Sequence, residues 1–144
     1  MIRIVIAEDQ ALVLGALATL LGLEGDIDII SRVGDGAAAL DAVREHKPDI
    51  LLSDIEMPQM TGLDVAEAIT REGLAARVLI VTTFGRAGYL RRAMDAGVRG
   101  YLLKDTPTDA LAAAIRKVAA RLPQGGARLR RNWPNSPGMP PPTL

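Results

Sequence analysis

The chain has 144 residues, of which 49% are hydrophobic and only 3% aromatic, so it is long enough for one domain with an aliphatic core. It contains no cysteine, which excludes disulfide bonds, cysteine-based zinc sites and thiol catalysis. Its net charge is zero, but the charges are unevenly distributed along the chain. Residues 1–120 carry 17 acidic and 13 basic residues, whereas residues 121–144 carry four arginines and no acidic residue. We therefore predict a folded domain over residues 1–120 and a disordered Pro/Arg-rich tail over residues 121–144.

The amino terminus, Met1-Ile2-Arg3-Ile4, leads directly into an apolar strand and does not have the charge and length pattern of a secretory signal. No segment approaches the roughly 20 apolar residues that are needed to span a bilayer. These features predict a cytoplasmic protein with no membrane partner.

Five short aliphatic segments alternate with longer helical patterns along the chain. The predicted strands are Arg3–Ala7, Ile27–Val33, Ile50–Ser53, Arg77–Thr82 and Gly100–Leu103. The predicted helices are Gln10–Leu23, Gly36–Glu45, Gly62–Glu72, Ala87–Ala96 and Pro107–Ala120. Most strands are continuous apolar runs, which is typical of strands covered on both faces. The alternation predicts an α/β fold with a doubly wound, five-stranded parallel sheet and five helices.

Polar side chains follow four of these strands at the point where each strand ends. Glu8 and Asp9 follow the first strand, and Asp54 follows the third. In the flavodoxin-like strand order 2-1-3-4-5, the first and third strands flank the point where strand order reverses, which is where ligands bind. Thr82 and Lys104, at the ends of the fourth and fifth strands, complete the same rim.

This set of groups suits phosphoryl transfer. Mg²⁺ prefers oxygen ligands and takes one or two carboxylates, and Asp9 and Asp54 could supply them with Glu8 nearby. An aspartate carboxylate can act as a nucleophile and form an acyl phosphate. Lys104 would then hold one phosphoryl oxygen and Thr82 would donate a hydrogen bond to another.

The same residues carry a resemblance to a known family. Asp9, Asp54-Ile55-Glu56-Met57-Pro58, Thr82 and Gly100-Tyr101-Leu102-Leu103-Lys104 resemble the receiver domain of bacterial two-component response regulators. The resemblance covers about residues 2–120. Thr82-Thr83-Phe84 and Lys104-Asp105 resemble the NarL-like subfamily, in which the receiver precedes a LuxR-type helix-turn-helix, and the first helix is similar to that of DesR-type regulators.

The resemblance implies a role for each site residue. Asp54 would accept a phosphoryl group from a sensor histidine kinase, and Thr82 and Tyr101 would form the switch pair that responds to it. Glu56 and Phe84 lie at positions that in the family modulate the hydrolysis of the acyl phosphate. The groups that would surround Mg²⁺ are Glu8, Asp9, Asp54 and the backbone carbonyl of Glu56.

The first predicted helix has more apolar residues than one buried stripe requires. Leu12, Val13 and Leu14 are consecutive, so at least one of them must face away from the sheet. This apolar excess and the likeness to DesR-type regulators together predict a homodimer, formed on phosphorylation, that uses the first and fifth helices with Leu14 near its centre. The alanines expected on the outer face of the fifth helix are Ala110, Ala113 and Ala114.

The resemblance also implies an output for the chain, and two rival functions compete with it. The resemblance implies a signalling module, not a dedicated enzyme, that reaches DNA only through a C-terminal helix-turn-helix domain, and residues 121–144 are too few to form one. A receiver cut from a transcription regulator is favoured over a stand-alone receiver.

A haloacid-dehalogenase-like phosphatase normally needs a second aspartate where this chain has Glu56. A pseudo-receiver that binds partners without phosphorylation is the other alternative.

Overall fold

A computed structural model describes residues 1–83 and 87–120 of the chain. The predictions for the tail and for Phe84 therefore lie outside the described residues. Within the described ranges, no helix has the length and apolar character needed to cross a membrane. The elements, in chain order, are β1 (Ile2–Ala7), α1 (Ala11–Gly22), β2 (Ile27–Val33), α2 (Gly36–His46), β3 (Ile50–Ser53), α3 (Gly62–Glu72), β4 (Arg77–Thr82), α4 (Ala87–Asp95), β5 (Gly100–Leu103) and α5 (Thr108–Ala120).

The five strands form one parallel sheet in the order β2-β1-β3-β4-β5, so the predicted fold class and strand order are confirmed. β1 lies between β2 and β3, and the chain reverses its winding direction there. The carboxyl ends of β1 and β3 are therefore neighbours. In the register, Ala7 is paired with Ser53, so the residues that follow these two strands emerge side by side.

Two hydrophobic cores lie on opposite faces of the sheet because successive strand residues point to opposite sides. Val5, Leu51 and Ile80 face the core formed with α2, α3 and α4. Their neighbours Ile6 and Leu52 face the core formed with α1 and α5. Burial on both sides explains why the strands are apolar throughout, and it leaves the strand ends as the place for polar groups.

Local sequence explains where α3 begins. A capping box forms at the start of α3. The Thr61 hydroxyl accepts a hydrogen bond from the N–H of Asp64, and the Asp64 carboxylate accepts one from the N–H of Thr61. This cap fixes the start of α3 directly after the loop that follows β3.

Candidate functional site

Backbone hydrogen bonds carry the strand ladders one residue beyond the strands and so position the candidate site. The N–H of Glu8 donates to Val33 at 3.0 Å, and the N–H of Asp54 donates to Ala7 at 3.0 Å. The N–H of Lys104 donates to the carbonyl of Thr82 at 2.8 Å. Each polar residue is therefore held by a neighbouring strand, which brings together the groups that the sequence predicted.

Lys104 lies between two buried carboxylates at this edge of the sheet. Its ammonium nitrogen is 2.7 Å from Oε1 of Glu8 and 3.2 Å from Oδ2 of Asp54. The Glu8 and Asp54 side chains are only 1% and 7% exposed. The bond to Asp54 is a hydrogen bond, whereas the Glu8 contact is an ion pair without hydrogen-bond geometry, so Glu8 Oε1 accepts no directed hydrogen bond. The site thus holds one cation among several anionic oxygens.

The second oxygen of each buried carboxylate is bonded to the backbone of its own segment. Oε2 of Glu8 accepts from the N–H of Gln10 at 2.9 Å, and Oδ1 of Asp54 accepts from the N–H of Ile55 at 2.8 Å. These bonds orient both carboxylates toward the rim. Sequence reasoning did not predict them, because they depend on the path of the loops after β1 and β3.

Burial dominates the ionisation of this cluster. Removal from water raises the pKa of Glu8 and of Asp54, and the attraction of Lys104 only partly offsets that effect. For Lys104, burial acts to lower the pKa, but its contacts with Glu8 and Asp54 outweigh burial and raise it. Lys104 is therefore held in its charged form, and the two carboxylates still carry more negative charge than one lysine can neutralise.

The acidic groups are close enough to share a metal ion. One carboxylate oxygen from each of Glu8, Asp9 and Asp54 lies within 4.8 Å of the others. Asp9 is exposed, so a hydrated cation can reach it from solvent. An all-oxygen donor set, an excess of negative charge and the Glu8 oxygen that accepts no directed hydrogen bond fit a hard divalent cation. These three carboxylates are among the metal ligands expected from the sequence, and the Glu56 carbonyl stays a prediction.

A cavity of about 240 Å³ opens over Asp54. Five of the predicted site residues border this one space: Asp9, Asp54, Glu56, Thr82 and Lys104. Thr82 is 3% exposed and Tyr101 is fully buried in the core beside α4. Burial raises the pKa of Tyr101 to about 12, with smaller contributions from Tyr89 and Asp54. Of the two predicted switch residues, Thr82 borders the cavity and Tyr101 lies in the core.

Two further cavity residues, Glu56 and Tyr89, form a contact that sequence reasoning missed. Glu56 was singled out for its backbone carbonyl, and the residue does line the cavity. Its exposed side chain accepts a hydrogen bond from the hydroxyl of Tyr89, on α4. No motif could have revealed this contact, since the two residues are 33 positions apart and belong to different elements.

Gly62, the first residue of α3, packs against the backbone of the central aspartate. A Cβ atom added at Gly62 would lie 2.0 Å from the carbonyl oxygen of Asp54. The N–H of Gly62 also donates to the carbonyl of Ile55 at 2.8 Å. Only glycine fits here, and its close approach places the loop that carries Asp54 and Glu56.

The residues predicted for a dimer surface occupy different positions in the structure. Leu12 is 90% exposed, whereas Leu14 is half-buried and packs against the core under α1. Ala110 and Ala113 are exposed on α5 as predicted. The prediction that Ala114 faces outward is wrong, because Ala114 is 4% exposed. It lies three residues after Leu111 and four before Val118, on the stripe that packs against the sheet.

Comparisons with known proteins agree with this site. The family described as the response regulator receiver domain matches residues 4–116. The transcriptional regulatory protein DesR of Bacillus subtilis is 50% identical over 118 residues, which is 82% of this chain and 58% of DesR. YvfU, an uncharacterized transcriptional regulatory protein of the same organism, is 51% identical over 117 residues, which is 81% of this chain and 58% of YvfU. The chain thus spans less than two thirds of either relative.

Solved structures show the same fold. The signal receiver domain of the response regulator NarL from Mycobacterium tuberculosis has a TM-score of 0.81 at 32% identity, covering 83% of this chain and 98% of that domain. A DNA-binding response regulator of the LuxR family from Staphylococcus aureus has a TM-score of 0.80 at 38% identity, covering 83% of this chain and 99% of that one. With the strand order and the acidic rim described above, these matches show that the chain belongs to the response regulator receiver domain family.

Proposed function

We propose that this chain is the phospho-accepting module of a two-component system and that Asp54 takes a phosphoryl group from a sensor histidine kinase. The observation that carries the proposal is the Asp54 carboxylate itself, which is 7% exposed, borders the cavity and has Oδ2 3.2 Å from the Lys104 ammonium. A buried carboxylate of this kind is costly unless its charge is used. Its place at the switch point of the sheet supports a ligand-directed use.

In the transfer, an oxygen of Asp54 forms a bond to phosphorus while the bond from phosphorus to the kinase histidine nitrogen breaks. The electron pair of the broken bond leaves with the imidazole. Lys104 moves its charge from the carboxylates toward a phosphoryl oxygen, and the Thr82 hydroxyl donates to another. Glu8, Asp9, Asp54 and the Glu56 carbonyl would hold Mg²⁺, which neutralises phosphoryl charge when bound. The chain is then a signalling module and not a dedicated enzyme.

The direct test is intact-mass spectrometry after incubation with acetyl phosphate and Mg²⁺. We expect the mass of one added phosphoryl group, and we expect it to disappear when Mg²⁺ is chelated or when Asp54 is replaced in the Asp54→Ala variant. An unmodified wild-type chain would favour the alternative of a pseudo-receiver that binds partners without phosphorylation. An adduct that survives the Asp54 substitution would identify a different nucleophile.

We further propose that phosphorylation promotes a homodimer through α1 and α5. Leu12 and Leu20, on α1, are 90% and 44% exposed. They border a largely apolar cavity of about 300 Å³ between α1 and α5, and Lys104 lines this cavity as well as the one over Asp54. An exposed apolar groove that shares a wall with the phosphoryl site supports a surface that responds to phosphorylation.

Leu12 offers a cleaner test of the dimer than Leu14. The Leu14→Asp variant would disturb the core beneath α1 as well as the surface, because Leu14 is half-buried. We expect Leu12→Asp to remain folded and phosphorylated but monomeric by light scattering, whereas the phosphorylated wild type dimerises. A phosphorylated Leu12→Asp variant that still dimerises would place the interface elsewhere.

The output of the module is also a proposal. Relatives named as transcriptional regulatory proteins are longer than the region matched here. By analogy with them, we infer that phosphorylation of residues 1–120 controls a C-terminal DNA-binding domain of the helix-turn-helix type, and that the chain acts in the cytoplasm without a membrane partner. Promoter binding by the full-length protein, measured with and without acetyl phosphate, tests this role.

A further inference from the structure

The contact between Tyr89 and Glu56 links α4 to the loop that follows Asp54. Tyr89 is half-buried and its hydroxyl donates to the Glu56 carboxylate, which is exposed. Both residues line the cavity over Asp54. The cavity is therefore bounded on one side by a hydrogen-bonded pair, one member from α4 and the other from the segment between β3 and α3.

A second contact, near Tyr89, joins α4 to α3. Arg92 lies three residues after Tyr89, which places both side chains on the same side of α4. Its guanidinium donates to Asp64 at 2.7 Å and to Glu67 at 3.0 Å, both on α3. These two carboxylates fasten α4 to α3, so the position of the Tyr89 hydroxyl is set relative to Glu56.

The position of this pair matters for the lifetime of a phosphoryl group, on the proposed function above. Hydrolysis requires water in line with the bond from Asp54 to phosphorus. The water oxygen forms a bond to phosphorus while the bond from phosphorus to the Asp54 oxygen breaks, and the electron pair of that bond returns to the carboxylate. A proton from the water passes to solvent, and inorganic phosphate leaves. A cavity of about 240 Å³ has room for water beside a phosphoryl group, since water occupies roughly 30 Å³ per molecule.

We propose that Tyr89 is a positioning residue that holds the Glu56 side chain at the edge of the cavity and thereby limits the access of water and of small phosphodonors to Asp54. Tyr89 acts through Glu56 and does not itself react. The proposal predicts that loss of the Tyr89 hydroxyl opens this edge. Both the formation and the hydrolysis of the acyl phosphate then become faster, because both reagents pass the same pair of side chains.

The test is a double-mutant cycle on the acyl phosphate. We would measure its formation with acetyl phosphate and Mg²⁺, and its decay after removal of the donor, by mass spectrometry of the wild type, Tyr89→Phe, Glu56→Ala and the double variant. We expect Tyr89→Phe to accelerate both rates by about threefold to tenfold, as for loss of a partly solvated hydrogen bond to a charged group. In the Glu56→Ala background the same change should have no further effect.

The Glu56→Gln variant distinguishes an effect of the position of the Glu56 side chain from an effect of its charge. The amide oxygen still accepts from Tyr89, so this variant should decay within about twofold of the wild type. A Glu56→Gln variant that behaves like Glu56→Ala would overturn the proposal, as would unchanged rates in Tyr89→Phe. An equal effect of Tyr89→Phe in both backgrounds would show a structural role and refute it. Absence of any adduct in the wild type would instead remove the proposed function, and the inference with it.

Discussion

Replacing Lys104 with methionine should destabilise the fold by leaving two buried carboxylates without their cation. Methionine keeps most of the apolar stem of the side chain and removes the ammonium group that lies 2.7 Å from Glu8 and 3.2 Å from Asp54. Removal of one partner of a buried ion pair costs about 3–5 kcal/mol in unfolding free energy. The 17% exposure of the Lys104 side chain places this site at the lower end of that range.

Proton uptake by Glu8 limits the share of the cost that comes from this carboxylate. Glu8 can escape its unpaired charge by becoming protonated, and from an ordinary pKa of 4.5 this costs about 3.4 kcal/mol at about pH 7, at roughly 1.36 kcal/mol per pH unit. We therefore expect Lys104→Met to lose about 3 kcal/mol at neutral pH in the absence of Mg²⁺. The substitution raises the pKa of Glu8 in the folded state further, so the loss shrinks as the pH falls, to about 1 kcal/mol near pH 5.

The assay is urea denaturation with a chelator present, repeated with Mg²⁺. A divalent cation that binds the carboxylates in the folded state should stabilise Lys104→Met more than the wild type, because it replaces the missing charge. Lys117→Met is a matched control: Lys117 is exposed on α5, and its replacement should change stability by no more than about 0.5 kcal/mol. A Lys104→Met variant as stable as the wild type at neutral pH, or one whose deficit is independent of pH, would refute the reasoning.

Two stability predictions concern the start of α3. Thr61→Ala removes the acceptor for the N–H of Asp64 and should lower the unfolding free energy by about 1 kcal/mol in urea denaturation. Thr61→Ser keeps a hydroxyl and should retain most of the stability that the cap provides. Equal losses in the two variants would contradict a stabilising role of the cap. Gly62→Ala should lower both stability and the yield of phosphorylated protein, because the new Cβ would lie 2.0 Å from the Asp54 carbonyl oxygen. A Cβ added at Gly15, inside α1, would meet no atom within 4 Å. Gly15→Ala should therefore leave stability unchanged or raise it by up to about 1 kcal/mol. Similar behaviour of the two glycine variants would contradict the close approach at Gly62.

The sequence alone predicted the fold class, and it predicted which strand ends bring polar groups to one edge of the sheet. Apolar runs identified the strands, and their alternation with helical patterns predicted a parallel sheet. The flavodoxin-like strand order taken for that sheet is the observed one. Glu8, Asp54 and Lys104 could be grouped without coordinates because parallel strands all end at one edge of the sheet. These inferences depend on short-range patterns and on general rules of topology, which a sequence contains.

Tertiary structure decided how the site residues interact and which helix residues remain exposed. The division of Lys104 between two carboxylates, and the bond from Tyr89 to Glu56, join residues far apart in the chain, so no local pattern specifies them. The outward prediction for Ala114 was wrong because the rotation of α5 is set by the larger side chains that pack against the sheet. Such contacts follow from distances between elements, and those distances exist only once the cores on both faces have packed.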